Sequence, residues 1–131
     1  MEPSIECYEL FIRLGDDEIL VIDCRDGEAP RDLASLQIPG ALRMGFDELA
    51  ECLHILPDDE LIVLYGCSGD GSESWRASAL LRTRGRAAVC LQGGLPAWIA
   101  RGYPTEPYVS SSERVARRRA QESSAALASE A

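Results

Sequence analysis

Three short runs of apolar residues alternate along this chain with segments in which apolar residues recur at helical spacing. The runs are Ile19 to Asp23, Leu61 to Tyr65 and Ala87 to Leu91, and each predicts a strand. The run from Leu61 is almost wholly apolar, which is typical of a strand buried on both faces. Strands separated by helical segments of this length predict right-handed crossovers and a parallel sheet.

Helical spacing predicts four helices between and around these strands. They are Ser4 to about Leu14, about 47 to 53, 74 to 84, and Leu95 to Arg101. Asp47 is the expected N-cap of the second helix, because its carboxylate can accept hydrogen bonds from the first turn. Gly85 follows the third helix, where a glycine commonly ends a helix.

The composition predicts one folded domain followed by a tail. A chain of 131 residues can bury a core without disulfides or metal. We expect the domain to span residues 4–107. After Pro107 large apolar side chains become rare, so residues 108–131 are predicted to be a disordered or weakly helical tail.

Charge and cysteine content exclude several classes of partner and cofactor. The formal net charge is -9, which argues against a nucleic-acid binder. No apolar run is long enough for a signal peptide or a membrane span, so we expect a cytoplasmic protein that does not bind membranes.

The five cysteines form no close pairs, and the single histidine, His54, lacks neighbours at metal-ligand spacing. We therefore expect no metal site, and no organic cofactor is implied.

Cys67 is the candidate nucleophile, because it follows the Leu61 to Tyr65 strand at the start of a Gly/Ser-rich loop. Parallel sheets bind ligands where strands end and helices begin. Loop amides and the positive end of the next helix should favour the thiolate, which is the reactive form. The alternative is an ordinary loop thiol. The candidate substrate-binding residues around it are Gly66, Ser68, Gly69, Asp70, Gly71, Ser72, Glu73, Ser74 and Arg76.

Four segments together resemble a known family. They are Ile22-Asp23-Cys24-Arg25, Gln37-Ile38-Pro39-Gly40-Ala41, Leu91-Gln92-Gly93-Gly94-Leu95-Pro96-Ala97-Trp98 and Gly102-Tyr103-Pro104. In this order they resemble a single rhodanese domain over about residues 4 to 107. The resemblance implies an α/β fold with a five-stranded parallel sheet and helices on both faces. It also implies a sulfurtransferase whose cysteine is transiently persulfidated, with a sulfur donor and a thiol acceptor, each a small molecule or a carrier protein, as partners.

The chain departs from the family pattern at the site itself. Active members usually place the cysteine directly after the last aromatic residue of the strand, where this chain has Gly66. The loop carries Asp70 and Glu73, and the nearest base is Arg76. A carboxylate near a dianionic donor repels it. Thiosulfate is therefore expected to be a poor donor, and a carrier-protein or low-molecular-weight persulfide a better one.

Other interpretations of the same residues stay open. Asp23 and Arg25 lie two residues apart at a strand end, near the site by family resemblance, and such a pair more often serves structure. The departures also favour a catalytically silent rhodanese module that binds or regulates a partner. A phosphatase on this fold would need an arginine six residues after the cysteine, where this chain has Glu73.

Overall fold

The computed structural model describes residues 3–25, 36–67 and 72–107, and within these ranges the chain alternates strands and helices. The strands are β1 Ser4–Ile5, β2 Ile19–Asp23, β3 Leu36–Gln37, β4 Leu42–Arg43, β5 Leu61–Tyr65, β6 Ala88–Leu91 and β7 Glu106–Pro107. The helices are α1 Cys7–Ile12, α2 Phe46–Glu51, α3 Ser72–Thr83 and α4 Gly94–Ala100, with a short 3₁₀ helix at Leu53–Ile55.

Five of the strands form one parallel sheet in the order β1-β6-β5-β2-β4. The run from Leu61 to Tyr65 is the central strand, as expected of a segment that is apolar on both faces. It pairs along its whole length with β2, from Ile19 opposite Leu61 to Asp23 opposite Tyr65. The predicted five-stranded parallel sheet is confirmed.

Helices cover both faces of this sheet. Alternate residues of β5 point to opposite sides, so Val63 and Tyr65 pack in one core cluster and Ile62 and Leu64 in another. The first cluster includes residues of α1 and α4, with Trp98 fully buried, and the second includes residues of α2 and α3. The carboxyl end of β5 therefore lies between two apolar layers.

Several two-residue strands escape prediction, and one replaces the expected start of a helix. Ser4 and Ile5 pair with Cys90 and Leu91 of β6, so α1 begins only at Cys7. β4 completes the other edge of the sheet, and β3 pairs antiparallel with β7. Such short strands depend on pairing with distant residues and leave no periodic pattern in the sequence.

Two helix boundaries also differ from the prediction. α2 follows Gly45 in the N-cap position and begins at Phe46, so Asp47 lies in its first turn and is not the N-cap. α3 begins at Ser72, two residues earlier than expected. Gly85 follows α3 with a φ of +80°, a left-handed conformation that glycine adopts most easily.

Two further expectations concern the chain outside the sheet. Within the described ranges, no helix combines the length and apolar character needed to cross a bilayer. The predicted tail, residues 108–131, lies outside the described residues, so its character stays a prediction.

Candidate active site

Cys67 lies just beyond the carboxyl end of the central strand, and its residue is half-buried. Hydrogen bonds from two neighbouring segments fix the backbone that leads to it. Cys24 N donates to Tyr65 O at 2.9 Å, and Leu95 N donates to Gly66 O at 3.0 Å. The thiol therefore lies at the carboxyl end of the parallel strands, where such sheets bind ligands.

Asp23 and Arg25 form a buried ion pair next to this strand end. Arg25 Nε lies 2.9 Å from both carboxylate oxygens of Asp23, and Arg25 Nη2 also donates to Leu36 O at 2.6 Å. The two side chains are 3% and 0% exposed. The pair joins the end of β2 to β3, and the Arg25 charge also acts on Cys67.

Arg43 is a cation of the site that the sequence analysis missed. It ends β4, and its Nη2 lies 3.9 Å from Asp23 Oδ2 with the side chain 24% exposed. Its charge also acts on Cys67. The sequence signal that could have marked Arg43 is its position two residues after the Pro39-Gly40-Ala41 segment. Its closeness to Asp23 could not be predicted from that signal, because a two-residue strand has no periodic pattern in the sequence.

Among the described residues, Glu73 is a predicted site residue whose side chain contacts the backbone of Cys67. It lies in the first turn of α3, and its Oε1 accepts a hydrogen bond from Cys67 N at 3.1 Å. Its neighbours differ in exposure, since Ser72 is exposed and Ser74 is buried. Glu73 therefore joins the helix to the residue that carries the thiol.

The remaining predicted substrate-binding residues divide into two groups. Ser68, Gly69, Asp70 and Gly71 lie outside the described residues, so their roles stay predictions. Arg76 is exposed, and its guanidinium lies 4.6 Å from the centre of the Phe46 ring. That cation-π contact directs Arg76 towards α2.

The surroundings of Cys67 do not lower its pKa as the sequence suggested. Burial raises the pKa of the thiol, and the carboxylates of Asp23 and Glu73 raise it further. The guanidinium groups of Arg25 and Arg43 oppose this rise but do not overcome it. The expected amide donors of residues 68–71 lie outside the described residues. The described groups therefore favour the neutral thiol.

The five thiols differ sharply in access. Cys7, Cys24 and Cys90 are buried, whereas Cys52 and Cys67 are half-buried. Cys24 and Cys90 are small buried side chains, as is common for cysteines in apolar segments. Cys52 is the natural control for experiments on Cys67, because it is the other half-buried thiol.

No group of three or more potential metal ligands occurs in the described parts of the chain.

The interior beside the site predicts a loss of stability at alkaline pH. Burial and the charge of Asp23 raise the pKa values of both Cys24 and Tyr65, whose hydroxyl accepts a hydrogen bond from Ile38 N at 3.0 Å. Both groups keep their protons when folded, whereas the unfolded chain releases them near their ordinary pKa values. The contribution of these groups to the free energy of unfolding is therefore complete below those pKa values and decreases as pH rises through them. Urea unfolding should show this decrease in the free energy of unfolding between about pH 8 and 10.5, an interval that includes the ordinary pKa values of thiols and phenols.

Cys24→Ala is the matched variant for this alkaline effect, because it removes one of the two groups. Its free energy of unfolding should decline less steeply with pH than that of the unmodified protein. A free energy that stays constant across the same range in the unmodified protein would contradict the assignment.

Comparison with known proteins places the chain in a family. The model of the "Rhodanese-like domain" matches residues 8–101. A sulfurtransferase of Allochromatium vinosum is 33% identical over 106 residues, which cover 79% of this chain and 94% of that protein. The rhodanese-like domain of an Anabaena protein, solved by NMR, is 32% identical with a TM-score of 0.66, and the match covers 85% of this chain and 83% of that one.

A longer protein contains a similar fold. The crystal structure of a thiosulfate sulfurtransferase from Pseudomonas aeruginosa has a TM-score of 0.66 at 30% identity, and the match covers 81% of this chain but 19% of that one. The family match includes the central strand, Cys67 and the helix that carries Glu73. The chain therefore belongs to the rhodanese-like domain family.

Proposed function

We propose that this protein is a sulfurtransferase that carries sulfane sulfur as a persulfide on Cys67. The observation that carries the proposal is the half-buried thiol at the carboxyl end of the central strand, beside the cations of Arg25 and Arg43. The 33% identity to a protein named as a sulfurtransferase supports the same activity.

The proposed reaction has two balanced steps. The Cys67 thiolate attacks the outer sulfur of a persulfide donor, a new S–S bond forms, and the donor's S–S bond breaks with its electron pair leaving on the donor thiolate. An acceptor thiolate then attacks the outer sulfur of the Cys67 persulfide and restores the cysteine. These steps consume only donor and acceptor, so they require no metal or organic cofactor. A supply of reduced thiols makes the cytoplasm the compartment we propose.

The surrounding charges have separate roles in this scheme. Arg25 and Arg43 stabilise the thiolate and the anionic persulfide, while Asp23 holds Arg25 in place through its buried ion pair. Because the pKa of Cys67 is raised, only a small fraction of the thiol is ionised at neutral pH. Sulfur uptake should therefore accelerate as pH rises towards the pKa of the thiol.

A catalytically silent module that binds or regulates a partner is the second candidate. Two observations favour it: the backbone amide of Cys67 is directed to Glu73, and the pKa of the thiol is raised. In such a module the cysteine would accept no sulfur from any donor.

Turnover with two donors separates the candidates. Sulfur transfer to a small thiol acceptor should be measured with a low-molecular-weight persulfide and with thiosulfate, using Cys52→Ser as the control variant. We expect turnover with the persulfide, weaker turnover with thiosulfate, and an unchanged rate in Cys52→Ser. Absence of turnover with both donors would leave the silent module as the function.

A further inference from the structure

We propose that Glu73 and Gly66 act as a pair, in which Glu73 positions the backbone of Cys67 and selects sulfur donors of low negative charge. The inference rests on the proposed sulfurtransferase function for the identity of the substrates. The positions of Glu73 and Gly66 relative to Cys67 come from the structure and do not depend on that function.

The positioning role follows from the hydrogen bond to the cysteine's own amide. Oε1 of Glu73 accepts from Cys67 N at 3.1 Å, so a side chain of α3 fixes the residue that follows the strand. A charge-assisted bond of this kind is stronger than one between neutral groups. The amide of Cys67 is consequently directed to Glu73 rather than to an anion on the sulfur.

Gly66 provides the space in which Glu73 lies. A Cβ atom at position 66 would lie 2.6 Å from Glu73 Oε1, 2.9 Å from Glu73 Cδ and 3.0 Å from Glu73 Cβ. Among the described residues, and apart from residues 65–67 themselves, these are its three nearest heavy atoms, and all belong to one side chain. The glycine between strand and cysteine is therefore matched to a glutamate at position 73.

The selection of donors follows from the charges that act on Cys67. Arg25 and Arg43 contribute positive charge, and Asp23 and Glu73 contribute negative charge. Asp23 is paired with Arg25 inside the protein. Glu73 holds its carboxylate against the backbone of the reacting residue. A dianionic donor bound at the sulfur of Cys67 lies close to the carboxylate of Glu73, so the electrostatic repulsion between them is large. A donor of lower charge meets less repulsion.

Two substitutions separate the charge of Glu73 from its hydrogen bond. Glu73→Gln removes the charge and keeps an oxygen that can accept from Cys67 N, whereas Glu73→Ala removes both. Glu18→Gln removes the same charge from an exposed residue directly before β2, at the opposite end of the sheet, and serves as the control.

Alkylation of Cys67 tests the charge without any assay of sulfur transfer. The ratio of its rates with anionic iodoacetate and neutral iodoacetamide, located by peptide mapping, reports the electrostatic environment of the thiol. Glu73→Gln should raise this ratio by about fivefold to tenfold at low salt and less at high salt, and should shift the pH profile of alkylation to lower pH. Glu18→Gln should leave both unchanged.

Kinetics then test the selection of donors. Glu73→Gln should raise kcat/KM at neutral pH with both donors, because more of the Cys67 thiol is ionised, but should raise it several-fold more with thiosulfate than with a low-molecular-weight persulfide, because only the dianion also escapes the repulsion. Glu73→Ala should instead lower kcat with both donors, because the backbone of Cys67 loses its anchor.

Stability measurements test the pairing of positions 66 and 73. Gly66→Ala should lower the melting temperature of the unmodified protein more than that of Glu73→Ala, because the second variant removes the side chain that the new methyl group would meet. Equal shifts in both backgrounds would overturn the pairing. An unchanged alkylation ratio in Glu73→Gln would overturn the electrostatic role, even in a protein that transfers sulfur. A changed ratio in a protein without turnover would overturn the proposed function and leave the charge effect standing.

Discussion

Replacing Asp23 with alanine should lower the free energy of unfolding by about 3 to 5 kcal/mol. The carboxylate is completely buried, and its two oxygens share the N–H of Arg25 Nε at 2.9 Å, so its removal leaves a buried guanidinium without its counter-charge. Urea unfolding at neutral pH measures the loss.

The matched control replaces the pair together. Asp23→Leu combined with Arg25→Met substitutes apolar side chains for both charges, and such replacements of buried ion pairs are often neutral or stabilising. The double variant should therefore recover much of the stability that Asp23→Ala loses. A loss below about 1 kcal/mol in Asp23→Ala would contradict the view that this pair holds the end of β2, because exposed pairs contribute that little.

Replacing Cys67 with serine should abolish sulfur transfer, with a fall in turnover of more than about 10³-fold. A serine hydroxyl is a weak nucleophile at neutral pH and cannot form a persulfide. Because Cys67 is half-buried and the substitution is close in size, the free energy of unfolding should change little.

Cys52→Ser is the matched control for this loss, since Cys52 is the other half-buried thiol of the described residues. It should keep the turnover of the unmodified protein. Substantial activity in Cys67→Ser, lost instead in Cys52→Ser, would show that another cysteine carries the sulfur.

The parts of the fold that the sequence predicted are those with strong local patterns. The apolar run of β5 and the glycine after α3 each show in a single window of the sequence. β1 and β4 do not, because two-residue strands exist through their pairing with β6 and β2. The number of strands came from the family resemblance, which includes the long-range pairing that a local pattern lacks.

The candidate site shows the same division. The place of Cys67 after the central strand and the closeness of Asp23 to Arg25 both follow from neighbours in the sequence. Arg43 reaches Asp23 only through strand pairing, and so it was missed. The sequence marked Glu73 as a nearby negative charge, but its bond to the amide of Cys67 depends on how α3 follows the loop.

The most direct test of the central claim is the intact mass of the protein after incubation with a persulfide donor and removal of the excess donor. The account predicts a gain equal to the mass of one sulfur atom, located on Cys67 by peptide mapping, reversed by a thiol acceptor and absent in Cys67→Ser. An unmodified Cys67 after incubation with both a low-molecular-weight persulfide and thiosulfate would contradict it.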